Sequence, residues 1–143
     1  MTTPTPTSTS TSAAAPTGLR VFNMLVGLTS LGILLQAITA GEFVSQDGRD
    51  PWIAAHNIIA SVTVVLALAT MIVGIVSVRR VDATLNWLGI ALFVLLVVQT
   101  VLGHLITDAE ADGLIGVHVP VALLVFGLAV WLSIRGAAVR RRS

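Results

Sequence analysis

The sequence predicts an all-α membrane protein: a transmembrane four-helix bundle, up-down-up-down, built from two repeated helical hairpins. Three observations carry that expectation. The chain is 55% hydrophobic and 10% charged, whereas a soluble domain is about a quarter charged, and its mean hydropathy is +0.95. Four long stretches, 21–41, 51–78, 83–107 and 113–134, contain no Asp, Glu, Lys or Arg. The two halves of the chain also echo one another.

Each charge-free stretch reaches the roughly 20 residues that a helix needs to cross a hydrocarbon core about 30 Å thick. Backbone groups in lipid must bond within their own segment, which selects helices over single strands. The alternating ten-residue pattern of a membrane barrel is absent from the sequence. Spans are expected at about 20–41, 51–78, 83–107 and 113–135. The short connections between them set sequential helices antiparallel. Around the bundle, taken as 19–136, residues 1–18 are almost wholly Thr, Ser, Pro and Ala and read as a disordered cytoplasmic tail, and 137–143 as a basic cytoplasmic tail.

Charge placement orients the bundle. Arg20, Arg79, Arg80, Arg135 and Arg140 to Arg142 flank the start of span one, the end of span two and the end of span four, and Arg49 is the one remaining cation. Glu42, Asp47, Asp50, Asp108, Glu110 and Asp112 occupy the other two loops. The positive-inside rule then puts both termini in the cytoplasm, as in a multi-pass protein of the bacterial cytoplasmic (inner) membrane. The arginine-rich end is read as an anchor to anionic headgroups of the lipid bilayer, not as a nucleic-acid site. With no cysteine in the chain, disulfides and thiolate-bound metals are excluded.

The echo between halves is specific. LLQAITAG, a polar loop and WIAAHNIIA correspond to VVQTVLGH, a polar loop and LIGVHVPVA. Gln36 and Gln99 match at an offset of 63, and His56 and His118 at 62. A duplication of this kind gives two parallel hairpins about an axis along the membrane normal. Gly27, Gly32, Gly74, Gly89, Gly103 and Gly127 are expected to permit close helix approach.

All three histidines, His56, His104 and His118, fall within spans, where an ionisable residue is by default a functional-site hypothesis. His56 and His118 open spans two and four, which are diagonal in such a bundle. Two imidazoles at matched depth on diagonal helices can approach one flat cofactor from its two sides, and haem iron takes imidazole as an axial ligand. The alternative is that each histidine only bonds a carbonyl or a hydroxyl, such as Ser61, Thr63 or Thr100, on a neighbouring helix. His104 breaks the repeat. Its candidate roles are contact with a haem propionate, a proton relay, or a share in a three-histidine zinc or copper site. Gln36 and Gln99 are candidate cofactor contacts or interhelical hydrogen-bond partners. Arg49 is a candidate partner for a propionate or for Asp47 or Asp50. Trp52, Trp87 and Trp131 read as interfacial belt residues, and Pro120 as lying within the first turns of span four, where a missing N–H costs little.

A histidine opening the second and fourth helices, with VQTVLGHL before a loop and GVHVPVALLVFGLAVWL after it, resembles one four-helix half of the haem A synthase family. The chain is also similar to small four-helix membrane proteins of unknown function in bacteria. The first resemblance covers about residues 20–135 and implies that His56 and His118 are the haem ligands. The chain has one bundle where that family has two, and Ile53 where the family's first half has a glutamate, which points to a single haem-binding unit and not a complete synthase. The leading expectation is a membrane-embedded b-type haem-binding protein for electron transfer or haem handling. Its catalytic residues are unassigned, and a homodimer or a larger respiratory or haem-handling complex is its expected setting. The rival is a structural or accessory subunit with no cofactor.

Overall fold

The computed structural model describes residues 16–142; most of the expected N-terminal tail lies outside these residues. Four helices follow in order: α1 (Thr17–Ser45), α2 (Asp50–Val73, prolonged by a π-helical turn Gly74–Val78), α3 (Ala83–Asp108), and α4 (Ile115–Arg142, entered through a 3-10 turn Asp112–Leu114). All four are long and apolar enough to cross a membrane. The chain is therefore an all-α, multi-pass membrane bundle. Each helix packs against two neighbours, α1 against α2 and α4, and α3 against α2 and α4, so among the described residues α2 and α4 are diagonal.

Helix ends follow local chemistry. Pro51 sits in the first turn of α2, where a missing N–H costs least. Asp82 caps α3 by accepting from the Leu85 N–H at 3.0 Å. The helices outrun the expected spans: α1 begins inside the expected tail, at Thr17, and α4 runs through the expected basic tail to Arg142. Charge-free length measures the part that must be in lipid, whereas backbone bonding continues into the wetter region beyond. Pro120 does lie in the first turns of span four, but as the sixth residue of α4 it is past the four N–H groups that a helix leaves free, so its missing N–H costs more than expected. The N–H it lacks is the one that would reach the Gly116 carbonyl.

The duplication is written into the burial pattern. Phe22, Val26, Thr29 and Ile33 of α1 are buried, as are Leu85, Gly89, Leu92 and Leu96 of α3, each pair 63 apart. Thr63, Ala67, Thr70 and Gly74 of the second helix are buried, as are Val125, Ala129, Leu132 and Gly136 of α4, each pair 62 apart. All four sets step by four, three and four residues, the seam of antiparallel helices crossing at a shallow angle. Most of the largest fully buried side chains, among them Phe22, Leu85, Leu92 and Leu132, lie toward the end of the bundle that carries the arginines.

That end is also tied by polar contacts. Asn23 Nδ2 donates to the Gly136 carbonyl at 3.0 Å, joining α1 to α4. Arg135 donates to Asp82 at 2.9 Å, and its guanidinium stands 5.4 Å over the Trp131 ring. Of the expected close-approach glycines, Gly32 lies against Thr63, Gly74 and Gly89 against Phe22, and Gly103 against His118. Gly27 and Gly127 do not: a Cβ at either would meet nothing within 4 Å. Gly18 and Gly136, outside the expected set, make close approaches instead, against Ser77 and Asn23.

The two hairpins differ in one way that shapes the site. α1 packs most extensively against α2, because Gly32 admits Thr63 directly onto its backbone. The residue at the repeat-equivalent position in α3 is Leu95, which keeps α3 and α4 farther apart.

Candidate functional site: a two-histidine cavity

The end of the bundle away from Arg79, Arg80 and Arg135 is hollow. A cavity of about 430 Å³ lies there, lined by Gln36, His56, Gln99 and His118, with aliphatic side chains and Phe126 making up the rest. Small residues keep it open: Ala37 and Ala40 on α1 and Ala122 on α4 stand where the packed half carries Phe and Leu. The volume is in the range of small-molecule sites, about 300–1,000 Å³, and an apolar wall with a few convergent polar groups is their usual character.

His56 is held from α1. Its Nδ1 lies 3.1 Å from the Gln36 carbonyl oxygen and 3.1 Å from Thr39 Oγ1. A carbonyl only accepts, so this network assigns the proton to Nδ1 and leaves the Nε2 lone pair of the neutral ring for a ligand. Thr39 Oγ1 in turn bonds the Leu35 and Gln36 carbonyls of its own helix. Phe43 sets its ring edge-on to the imidazole, with centroids 5.6 Å apart and planes at 87°.

His118 is held from α3 through its backbone. Gln99 Nε2 donates to the His118 carbonyl at 2.7 Å, and the ring packs over Gly103, where a Cβ would meet its Cε1 at 3.5 Å. Two polar atoms here, His118 Nδ1 and Gln99 Oε1, are buried and have no partner among the described residues. In both hairpins, then, the glutamine of the first helix is bonded to the histidine of the second. In one the histidine ring donates to the glutamine backbone; in the other the glutamine side chain donates to the histidine backbone.

The structure brings together His56, His118, Gln36 and Gln99, and leaves two sequence candidates outside the lining. His104 points away on an exposed face of α3 and pairs with Asp108 at 3.1 Å, with Thr107 bonded to the same carboxylate. No group of three metal-ligating side chains forms among the described residues, so the three imidazoles do not assemble as a zinc or copper site. Arg49 is exposed at the start of α2 and pairs with neither Asp47 nor Asp50.

No protein-family model, curated protein or solved structure matches the chain. Two of the site's supports escaped the sequence reading, which named Ser61, Thr63 and Thr100 as hydroxyl partners for a histidine. Those three bond carbonyls of their own helices. The hydroxyl that meets His56 belongs to Thr39, one turn from Gln36 on the tightly packed partner helix. Helical spacing from Gln36 would have found Thr39 and then Phe43, since residues three and four apart share a face.

Proposed function

We propose that this protein is a membrane-embedded b-type haem-binding protein, holding one haem between His56 and His118 for electron transfer or haem handling. One observation carries the reading: the two repeat-related histidines, on diagonal helices, line the same apolar cavity.

The residues present fit such a group. A metal-ligating imidazole usually donates its second ring N–H to a carbonyl or carboxylate, which is the bond His56 makes to Gln36. His118 offers a ring nitrogen that nothing in the described chain satisfies. The aliphatic wall provides the low-dielectric, water-poor surroundings that tune such centres. When bound, haem supplies one-electron chemistry or is itself the cargo. The chain's part is to position two imidazoles, to fix the tautomer of one, and to keep water out. Gln36 and Gln99 hold the histidine-bearing helices, and His104 and Arg49 take no part in this proposal. The likeness to one half of the haem A synthase family supports the same pair of ligands. The arginine-bearing end faces the cytoplasm in this reading, which puts the cavity in the outer half of a bacterial cytoplasmic membrane.

A second reading follows from the bonds of His56 to Gln36 and Thr39: an accessory subunit without cofactor, whose histidine serves only to tie α1 to α2. Absorption spectroscopy on the purified protein separates the two. The haem reading expects a Soret band with split reduced α and β bands that is lost in His56→Ala and in His118→Ala and retained in His104→Ala. A colourless protein after haem is supplied establishes the second.

A further inference from the structure

The duplication gives the bundle two lateral faces in equivalent positions, between α1 and α4 and between α3 and α2. Each carries a cleft. The α2/α3 cleft, about 300 Å³, is lined by Ser61, Val64, Val97, Thr100 and Val101. Four of these are the repeat equivalents of Leu123, Phe126, Leu34 and Ala37, all of which line the α1/α4 cavity. The two clefts are thus the same feature made twice, and only the α1/α4 one reaches the histidines.

The α1/α4 cavity opens sideways. On its α1 rim Leu34 is 46% exposed, and on its α4 rim Val119 is 52% and Leu123 69% exposed. No residue of the two loops at that end lines it, and on the loop side the His56 ring is covered by Phe43. α1 and α4 are joined by the Asn23–Gly136 bond at the arginine-bearing end, well away from the mouth. An opening walled by aliphatic side chains at this depth faces hydrocarbon, which favours a ligand whose bulk is apolar and whose few charged groups can stay at the interface.

We infer that the cavity is loaded laterally from the bilayer, through the gap between α1 and α4, by a largely apolar macrocycle already dissolved in lipid. The inference rests on the haem reading above and adds its route and the ligand class that the route admits. The mouth at Leu34 and Leu123 selects for a membrane-partitioned ligand, and the matching α2/α3 face, where Ser61, Val64 and Val97 close in, is blind.

The absence of cysteine makes the test clean. Leu34→Cys with Leu123→Cys places a thiol on each lip of the mouth, and Val97→Cys with Ser61→Cys does the same on the equivalent blind face. Each full-length double variant is reconstituted in vesicles, joined with a cleavable bifunctional thiol reagent, and mixed with vesicles preloaded with haem while Soret absorbance is followed. Lateral loading predicts that joining the mouth slows uptake about tenfold or more, that cleaving the link restores it, and that joining the blind face leaves the rate unchanged. Equal rates for joined and cleaved mouth, or equal slowing on both faces, overturn the route. Uptake by neither variant before joining nor by the unsubstituted protein overturns the haem reading itself, and the route with it.

Discussion

His56 Nδ1 lies 3.1 Å from the backbone oxygen of Gln36 on the neighbouring helix, so the histidine of the first hairpin is locked in one tautomer by a group that no side-chain substitution at Gln36 removes. Thr39 Oγ1 provides the second contact to the same nitrogen. Thr39→Val keeps the shape and removes the hydroxyl. It is expected to weaken haem affinity about tenfold, the lower end of what loss of an outer partner costs a metal site, with the shape of the spectrum unchanged. Titration of the variant with haem checks this.

Gln99 is a helix tie in this account, not a ligand. Gln99→Leu removes the 2.7 Å bond to the His118 carbonyl, and it also removes the unpartnered Oε1. A hydrogen bond between membrane helices is worth about 0.6 kcal/mol on average, and removing a buried unsatisfied acceptor offsets such a loss. Thermal denaturation in detergent is expected to change by less than about 1 kcal/mol, with the Soret band retained.

The glycines divide sharply. A Cβ at Gly32 overlaps Thr63 Oγ1, and Thr63 is fully buried with nowhere to turn. Gly32→Ala is expected to destabilise by about 1–3 kcal/mol, the usual cost of overpacking. Gly27→Ala and Gly127→Ala meet open space and are expected to be neutral or to stabilise by up to about 1 kcal/mol through helix propensity. The three melting temperatures, measured side by side, decide it.

Asp82 has two jobs at the arginine-bearing end, capping α3 and pairing with Arg135. Asn caps about as well as Asp, so Asp82→Asn isolates the ion pair and Asp82→Ala removes both functions. Asp82→Ala is expected to lose about 1 kcal/mol more than Asp82→Asn. Equal losses in thermal denaturation would assign the whole effect to the pair with Arg135.

The bundle was legible because lipid imposes a strong rule on sequence: long runs without charge must be helices that satisfy their own backbone. Helix ends were less legible, since Thr17 and Arg142 sit where neither lipid nor core packing constrains composition. His56, His118, Gln36 and Gln99 could be grouped because the repeat keeps them in register. The repeat also continues beyond those residues, to Asn23 and Asn86 and to Gly74 and Gly136 at the other end. Helix rotation was the hidden variable. His104 directly follows Gly103, which meets His118, but its own face of α3 turns outward to Asp108, and Gly27 and Gly127 turn away in the same manner. An apolar span looks alike on every side, so composition alone does not say which face meets a neighbour.

Sharing of one ligand by the two repeat-related imidazoles sets the haem reading apart from the accessory-subunit one. The most direct measurement is titration of the purified full-length protein with haemin, followed by Soret absorbance, beside a variant carrying His56→Ala and His118→Ala together. A sharp low-spin spectrum that saturates at one haem per chain and is absent from the double variant is expected. Absorbance that rises without saturating, or the same spectrum from both proteins, would contradict the haem reading.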